Sequence, residues 1–407
     1  MSNPSRVRVA GPLAPYVGGF RAELESQGYR PNAVSDQLRL LAHVSRWLAG
    51  SGFEVADLTP ARVDEFLVAR RGAGYVLWRS PKGVAPLLTY LRHLGVVSVP
   101  EPAEAKTPAE HLIEHYRTYL TEERGLAAAT VASNINVGRL FLATRPQVRG
   151  LGLDVLRASE VLDFVLSECR KRSSGSARHV TTGLRSFLRF CHLEGRTAKL
   201  LADAVPKIAS WRLGALPRAL EPAVLGALLK SCDRRTTFGR RDFAVLVLLI
   251  RLGLRRGEVA GLRLDDIDWR EGELLIRGKG PKHERLPLPA DVGEAIVAWL
   301  RRGRPRCSAR EVFTRVRAPH QGLSPGGVSA VVRGACKRAG VPEVGAHRLR
   351  HSAATAMLRA GAGLVEIGQV LRHRSLLTTA VYAKVDRSLL QGLAKLWPLP
   401  VSQVVER

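Results

Sequence analysis

A stretch near the end of the chain, residues 345–385, brings together residue types that could act on a phosphate. His347 and Arg350 lie three positions apart in a segment with helical character, so their side chains share one helix face. His373 follows in a sharp connection, and Tyr382 comes nine positions after it. Guanidinium and imidazole groups can hold a phosphate, and a tyrosine can attack it once its proton is removed. The four residues could therefore form a phosphate clamp with a nucleophile.

Two plainer interpretations stand beside this one. A single histidine or tyrosine on a helix usually serves packing or lies on the surface. A helix, a break at Gly361 and Gly363, and a second helix could also be a helix-turn-helix that binds DNA without cutting it. The presence of all four residues together favours the chemical interpretation.

Three predicted helices must position these side chains. The first carries the histidine and the arginine and ends at the two glycines. A short apolar segment, Leu364–Leu371, predicts the second helix, and the connection Arg372–Arg374 follows it. Ser375 is a good N-cap for the third helix, which contains Tyr382.

The pattern His347-x-x-Arg350-His351, followed by another histidine and then a tyrosine nine positions on, resembles the tyrosine recombinase (phage integrase) family. That family also carries an arginine in a G-L-R-x-x-E motif and a lysine in a G-K-G hairpin. This sequence has both in the family's order, at Gly253-Leu254-Arg255-Arg256-Gly257-Glu258 and at Gly278-Lys279-Gly280. The resemblance covers residues 107–395 and is weaker before them. Arg348 departs from the family, which often has Asp there, but it lies outside the catalytic set.

The resemblance implies a role for each motif residue. Arg255 and Arg350 would each donate paired hydrogen bonds to DNA phosphate oxygens, because a guanidinium stays charged and presents a planar fork. Lys279, on a hairpin tip, would deliver a proton to the 5′-oxygen. Glu258 is expected to brace the Arg255 loop rather than react, and His351 is expected to be structural.

The remaining residues complete the mechanism that the resemblance implies. His347 would assist proton transfer at Tyr382, and His373 would donate to a phosphate oxygen. Tyr382 would attack phosphorus and give a 3′-phosphotyrosyl link with a free 5′-hydroxyl. Because that link conserves the bond energy, no ATP and no cofactor are expected. No metal site is expected either, since no carboxylate cluster accompanies the motifs.

Composition indicates the class of partner and the compartment in which the protein works. The 407 residues carry a formal net charge of +27, which predicts a polyanionic partner, with nucleic acid the default and a merely solubilising surface the alternative. No apolar run approaches the roughly 18 residues of a membrane span. The polar, basic start of the chain does not resemble a signal peptide. Five scattered cysteines without zinc spacing indicate a reducing compartment. We therefore expect a cytoplasmic, nucleoid-associated protein with no membrane contact.

Periodicity predicts a mainly α protein with a small antiparallel β-sheet in its catalytic domain. Residues 1–104 are expected to form an N-terminal helical domain. Residues 105–205 resemble the family's helical core-binding domain, which clamps DNA. Residues 215–407 would form the mixed α/β tyrosine recombinase catalytic domain with a C-terminal tail helix.

The first two regions look alike in sequence. Residues 28–34 align with residues 125–131, residues 64–67 with 162–165, and residues 90–92 with 187–189, at an offset of 97 or 98. This register predicts that the N-terminal region duplicates the core-binding region. Helical periodicity alone is the alternative explanation.

Two surfaces are candidates for DNA contact. Arg178 and Arg185, with Arg189, follow one stripe of a helix and could meet phosphates, although such a stripe is often only a solvated face. Strands at Glu273–Arg277 and Arg285–Pro289 predict a β-hairpin. Its basic tip would bring Lys282 to DNA beside Lys279.

The leading hypothesis is a site-specific recombinase for integration, excision or transposition of a mobile element. Its partner would be double-stranded DNA with inverted core sequences, bound by a homo-tetramer. An apolar stripe at Leu389, Leu393, Leu396 and Trp397 is expected to pack on the next subunit. The alternatives are an Xer-like resolvase of chromosome dimers and a DNA-binding regulator of the same fold that does not cleave.

Overall fold

The structure, a computed structural model, describes residues 7–99, 107–144, 149–207, 219–278 and 283–372. Its described residues are mainly helical with a three-stranded antiparallel sheet, which confirms the predicted fold class. The chain divides into two compact units. One is Val99–Trp211, and the other joins Met1–Ser98 to Arg212–Arg407. Buried apolar side chains form four separate clusters in the described residues, within residues 13–97, 112–205, 228–349 and 354–371. The three-domain boundaries stay a prediction.

The first helical block consists of four helices, α1 (Val17–Ser26), α2 (Pro31–Ser51), α3 (Pro60–Gly72) and α4 (Pro81–His93). Proline stands at the start of α2, α3 and α4, where its fixed φ suits a helix and its missing N–H has no partner to lose. The apolar faces of the four helices bury Phe20, Leu38, Phe66 and Leu91. The described part of residues 1–104 is therefore helical, as the sequence predicts.

The second helical block consists of α5 (Pro108–Thr118), α6 (Ala128–Leu142), α7 (Ala158–Arg170) and α8 (Ser174–Leu193). A capping box starts α5, in which Thr107 and Glu110 bond each other's backbone N–H. Tyr116 is fully buried and donates its hydroxyl to Ser186 Oγ at 2.8 Å. Phe187 and Phe190 of α8 are also fully buried. Both rings therefore lie in the core of the second block.

The described residues of the last region form seven α-helices: α9 (Pro222–Lys230), α10 (Thr237–Arg251), α11 (Arg256–Gly261), α12 (Ala290–Arg302), α13 (Pro325–Ala339), α14 (Ala346–Arg359) and α15 (Leu364–Val370). Helix α10 is the core helix, as its apolar run predicts, and residues 244–249 are all buried. It packs against α12, α13 and α14. Trp299 of α12 is fully buried and donates Nε1–H to the Val312 carbonyl at 2.8 Å.

The sheet has the order β1 (Ile267–Asp268), β2 (Glu273–Arg277) and β3 (His283–Pro287), all antiparallel. Leu274 faces Leu286 across the β2–β3 pair, and both side chains are buried. The predicted hairpin is present, but β3 lies two residues earlier than predicted because Pro289 serves as the N-cap of α12. Strand β1 was not predicted, since two residues are too few to show a period.

Candidate active site

Arg255 lies in the turn that joins α10 to α11. It is the N-cap of α11, and Glu258 occupies the third position of that helix. The Glu258 carboxylate accepts the backbone N–H of Arg255 at 2.8 Å and its Nη1–H at 2.6 Å. Glu258 therefore braces the Arg255 turn, as predicted. The Arg255 side chain remains 44% exposed, whereas that of Glu258 is only 5% exposed.

The turn before Arg255 depends on a glycine. Gly253 has φ of +58°, in the left-handed region that favours glycine. A Cβ at this position would stand 2.6 Å from Leu371 Cδ2 and 3.3 Å from the Ala353 Cβ. The absence of a side chain lets the turn before α11 pack directly against α14 and the end of α15.

Arg350 reaches the same place from α14. Its side chain is buried, with the residue only 2% exposed. Its Nη1–H donates to the Gly253 carbonyl at 2.6 Å, and its Nη2–H donates to the Leu371 carbonyl. Arg255 in turn donates Nη2–H to the Arg372 carbonyl at 2.9 Å. The structure thus brings Arg255 and Arg350 into one site, where both bond the backbone that follows α15.

His347 and His351 lie one turn apart on α14, with ring centroids 4.3 Å apart in an edge-to-face arrangement. Desolvation, followed by the positive charges of Arg350 and Arg255, lowers the pKa of His347 below its ordinary value. Desolvation and neighbouring positive charge, His347 first, lower the pKa of His351 to about 4. Both imidazoles are therefore neutral at pH 7. The His347 side chain is partly desolvated but keeps contact with solvent, so its neutral imidazole can accept a proton.

Several predicted site residues lie outside the described residues. They are Lys279, Lys282, His373 and Tyr382, together with the apolar stripe of the tail helix. Their roles stay predictions.

The candidate DNA-contact residues of α8 differ among themselves. Arg185 donates Nε–H to the Val205 carbonyl at 3.3 Å and Nη2–H to the Pro206 carbonyl at 2.8 Å. It therefore holds the segment after the second helical block. Arg178 is half-buried and Arg189 is exposed. Phosphate contact by these residues stays a prediction.

One residue of the site was not predicted from the sequence. Arg372 donates Nη2–H to Glu258 Oε2 at 2.7 Å, across 114 positions of sequence. Arg372 stands in the predicted connection, directly before His373. This position was the only sequence feature that pointed to a role for it. Nothing local in the sequence indicates that its side chain turns inward.

The described part of the chain offers no grouping of three or more His, Cys, Asp or Glu side chains able to hold a metal ion. Likewise, none of the helices described here has both the length and the apolar character needed to cross a membrane.

Comparisons with known proteins agree on the family. The model of the phage integrase family matches residues 218–388. The integrase/recombinase y4rA of Sinorhizobium fredii is 39% identical over 397 residues, covering 95% of this chain and 95% of the relative. Tyrosine recombinase XerD of Listeria monocytogenes is 30% identical over 292 residues, covering 70% of this chain and 97% of the relative.

Solved structures show the same fold. The XerH site-specific recombinase, in a post-cleavage complex with its palindromic difH substrate, matches with a TM-score of 0.55 at 19% identity, covering 72% of this chain and 98% of that one. A lambda integrase dimer bound to a COC′ core site matches with a TM-score of 0.55 at 15% identity, covering 79% and 89%. The extended relationship to y4rA, the matching family model and the paired arginines lead to one conclusion: the chain belongs to the phage integrase family of tyrosine recombinases.

Proposed function

We propose that this recombinase cuts and rejoins double-stranded DNA through a 3′-phosphotyrosyl intermediate, to integrate, excise or transpose a mobile element. The observation that carries the proposal is the pairing of Arg255 and Arg350 in one site. A DNA phosphate is an anion with two non-bridging oxygens, and a guanidinium is a planar, permanently charged group that can donate paired hydrogen bonds to such an anion.

The proposed reaction balances without a further reactant. Tyr382 loses its proton with the help of His347, whose neutral imidazole is an acceptor at pH 7. The tyrosine oxygen forms a bond to phosphorus while the bond to the 5′-oxygen breaks. Lys279 gives that oxygen a proton, and His373 donates to a phosphate oxygen. Attack by a different 5′-hydroxyl reverses these steps and exchanges strands, without ATP or a metal ion.

The mobile-element role rests on length. XerD spans 70% of this chain, whereas y4rA spans 95% of it. The chain therefore carries residues that have no counterpart in the match to XerD and are covered by the match to y4rA. The alternative, an Xer-like resolvase, is favoured by the 97% of XerD that the match covers.

We also propose the partners. Relatives in solved structures are bound to a palindromic substrate and to a core site. By analogy, this protein would bind a site with inverted core sequences, and four copies would assemble on two such sites. The apolar stripe of the tail helix would pack on the neighbouring copy.

A covalent trap tests the chemistry. A binding site is first selected from randomised duplexes, and the selected site is then nicked beside the cleavage position so that the released fragment diffuses away. The wild-type protein should accumulate a covalent adduct with this duplex. Tyr382→Phe should bind the site and form no adduct, because the nucleophilic oxygen is gone.

The half-exposed Tyr75 of the first helical block supplies the matched control, since Tyr75→Phe removes a hydroxyl elsewhere and should leave the adduct intact. An undiminished adduct from Tyr382→Phe would refute the assignment. A wild-type protein that binds the selected site and never forms an adduct would support the regulator that does not cleave.

A further inference from the structure

Glu258 is a buried carboxylate shared by two arginines of very different exposure. Arg255 bonds Oε1 at 2.6 Å through a side chain that is 44% exposed. Arg372 bonds Oε2 at 2.7 Å through a side chain that is 4% exposed. The same anion therefore has one cation that faces solvent and one that is enclosed.

The enclosed arginine is held in an unfavourable backbone conformation. Arg372 has φ of +54°, which residues with a Cβ rarely adopt. Its Nη1–H donates to the Val370 carbonyl at 2.8 Å, and its own carbonyl accepts from Arg255. Such a conformation persists only where surrounding contacts impose it, and it is most often found at functional sites.

The charge balance shows what Arg372 does to its neighbours. Burial would raise the pKa of Glu258, but the charge of Arg372 and the hydrogen bonds from Arg255 and Arg372 bring it below its ordinary value. The carboxylate is therefore ionised at neutral pH. Two guanidiniums on one carboxylate leave one positive charge, and Arg255 is the member of the pair that solvent can reach.

We propose that Arg372 is a positioning residue for the recombination reaction: its buried guanidinium neutralises Glu258, so that the exposed guanidinium of Arg255 stays available to a DNA phosphate. Without Arg372, the Glu258 carboxylate would pair with Arg255 alone and compete with the phosphate for it. This inference rests on the proposed function, because it assigns Arg255 to a scissile phosphate.

Single-turnover cleavage of the nicked selected site tests the proposal. Arg372→Met keeps much of the side-chain volume and removes the charge, and we expect cleavage to fall roughly 100-fold, the scale of a small misplacement in an active site. Adding Glu258→Gln to that variant removes the competing anion. The double variant should then cleave at least about tenfold faster than Arg372→Met, a recovery of one decade in rate.

This rescue separates positioning by charge from mere support of the fold. If Arg372 only supports the fold, the second substitution weakens the site further and the double variant cleaves no faster than Arg372→Met. That result, or an Arg372→Met protein that cleaves like wild type, overturns the proposal. A failure of the proposed function looks different, because the wild-type protein itself would then form no adduct.

A second buried carboxylate provides the control. Asp242, near the start of α10, also binds two arginines, accepting from Arg241 at 2.8 Å and from Arg338 at 3.2 Å. The Arg241 side chain is 10% exposed, so Arg241→Met removes a comparable enclosed cation. Arg241 lies near the start of α10, whereas Arg255 follows the end of that helix. We expect its cleavage rate to match wild type when both proteins are folded.

A conservative variant keeps the proposal testable if the Arg372→Met protein does not fold. Arg372→Lys keeps the charge beside Glu258 but lacks the fork, and its cleavage should stay within roughly tenfold of wild type. A folded lysine variant whose cleavage falls by roughly 100-fold, the misplacement scale, would show that charge at this position is not what the site needs.

Discussion

The two helical blocks share a core register but present different surfaces. Many pairs of positions at offsets of 97 or 98 are buried in both blocks, among them Val34 and Val131, Leu38 and Ile135, Val44 and Phe141, Val63 and Val161, Phe66 and Phe164, and Leu91 and Leu188. An aromatic contact recurs as well, with ring centroids 5.5 Å apart for Phe20–Tyr90 and 5.2 Å apart for Tyr116–Phe187. This agreement supports the proposal that the first block duplicates the second.

The connection between the third and fourth helices shows the divergence. In the first block it carries Tyr75, Val76 and Leu77, which are 41%, 77% and 62% exposed. In the second block it is short and carries Lys171 and Arg172, which pair with Glu168. Packing restricts substitution inside a bundle far more than on its surface. The two connections therefore differ in both exposed apolar character and charge, although the buried positions of the blocks correspond.

The largest expected effect tests the shared core. Phe66→Ala and Phe164→Ala remove equivalent buried rings, and each should destabilise its own block by about 3–5 kcal/mol. Hydrogen exchange measured block by block in the intact chain reports the two destabilisations separately. Values that differ by more than about 2 kcal/mol would indicate cores that are not equivalent, since equivalent sites collapse similarly.

Removal of the first block tests whether it engages DNA. Residues 7–99 contain 11 Lys and Arg against 7 Asp and Glu, a net charge of +4. A chain that starts at Lys106 should bind the selected site more weakly, with a salt slope that falls by roughly 0.9 for each phosphate that the first block would neutralise. Binding measured against salt concentration gives the slope. An unchanged slope and footprint would assign the first block to protein contact.

Charge removal on the fourth helices compares the blocks directly. Arg178→Gln with Arg189→Gln should lower the salt slope of binding by about 1 for each arginine that meets a phosphate and weaken binding to all sequences alike. Arg92→Gln is the matched change in the first block, at the offset of Arg189. A block that does not touch DNA should show no change. Equal effects from both blocks would mean that the two fourth helices contact DNA alike.

The exposed apolar connection should give the smallest effect. Val76→Ser with Leu77→Ser should leave the free energy of unfolding within about 0.5 kcal/mol, because both side chains are exposed. If this connection meets a neighbouring protein molecule, association on a two-site DNA should weaken while single-site binding is kept. Val155→Ser, at a 70% exposed position of the second helical block, is the control. Unchanged two-site association would show that this connection does not contact a neighbouring protein molecule.

Much of the catalytic region could be predicted because its signals are local. The apolar run of α10, the proline and glycine boundaries of α12 and α14, and the hairpin all follow from short-range patterns. The brace between Arg255 and Glu258 spans only three positions, and it was expected from the G-L-R-x-x-E motif that holds both residues. Strand β1 could not be predicted because its two residues form a strand only through their pairing with β2.

The sequence by itself determined the motif residues, their order, the helical and hairpin elements that carry them, and the repeated register of the two blocks. These properties depend on spacing along the chain. Only the tertiary structure decided that Arg350 is enclosed among carbonyls, that Arg185 holds Val205 and Pro206, and that Arg372 shares Glu258 with Arg255. An arginine has the same charge and reach wherever it stands in a sequence. Whether it meets a carboxylate, a carbonyl or a phosphate depends on chain segments that folding brings beside it from far away.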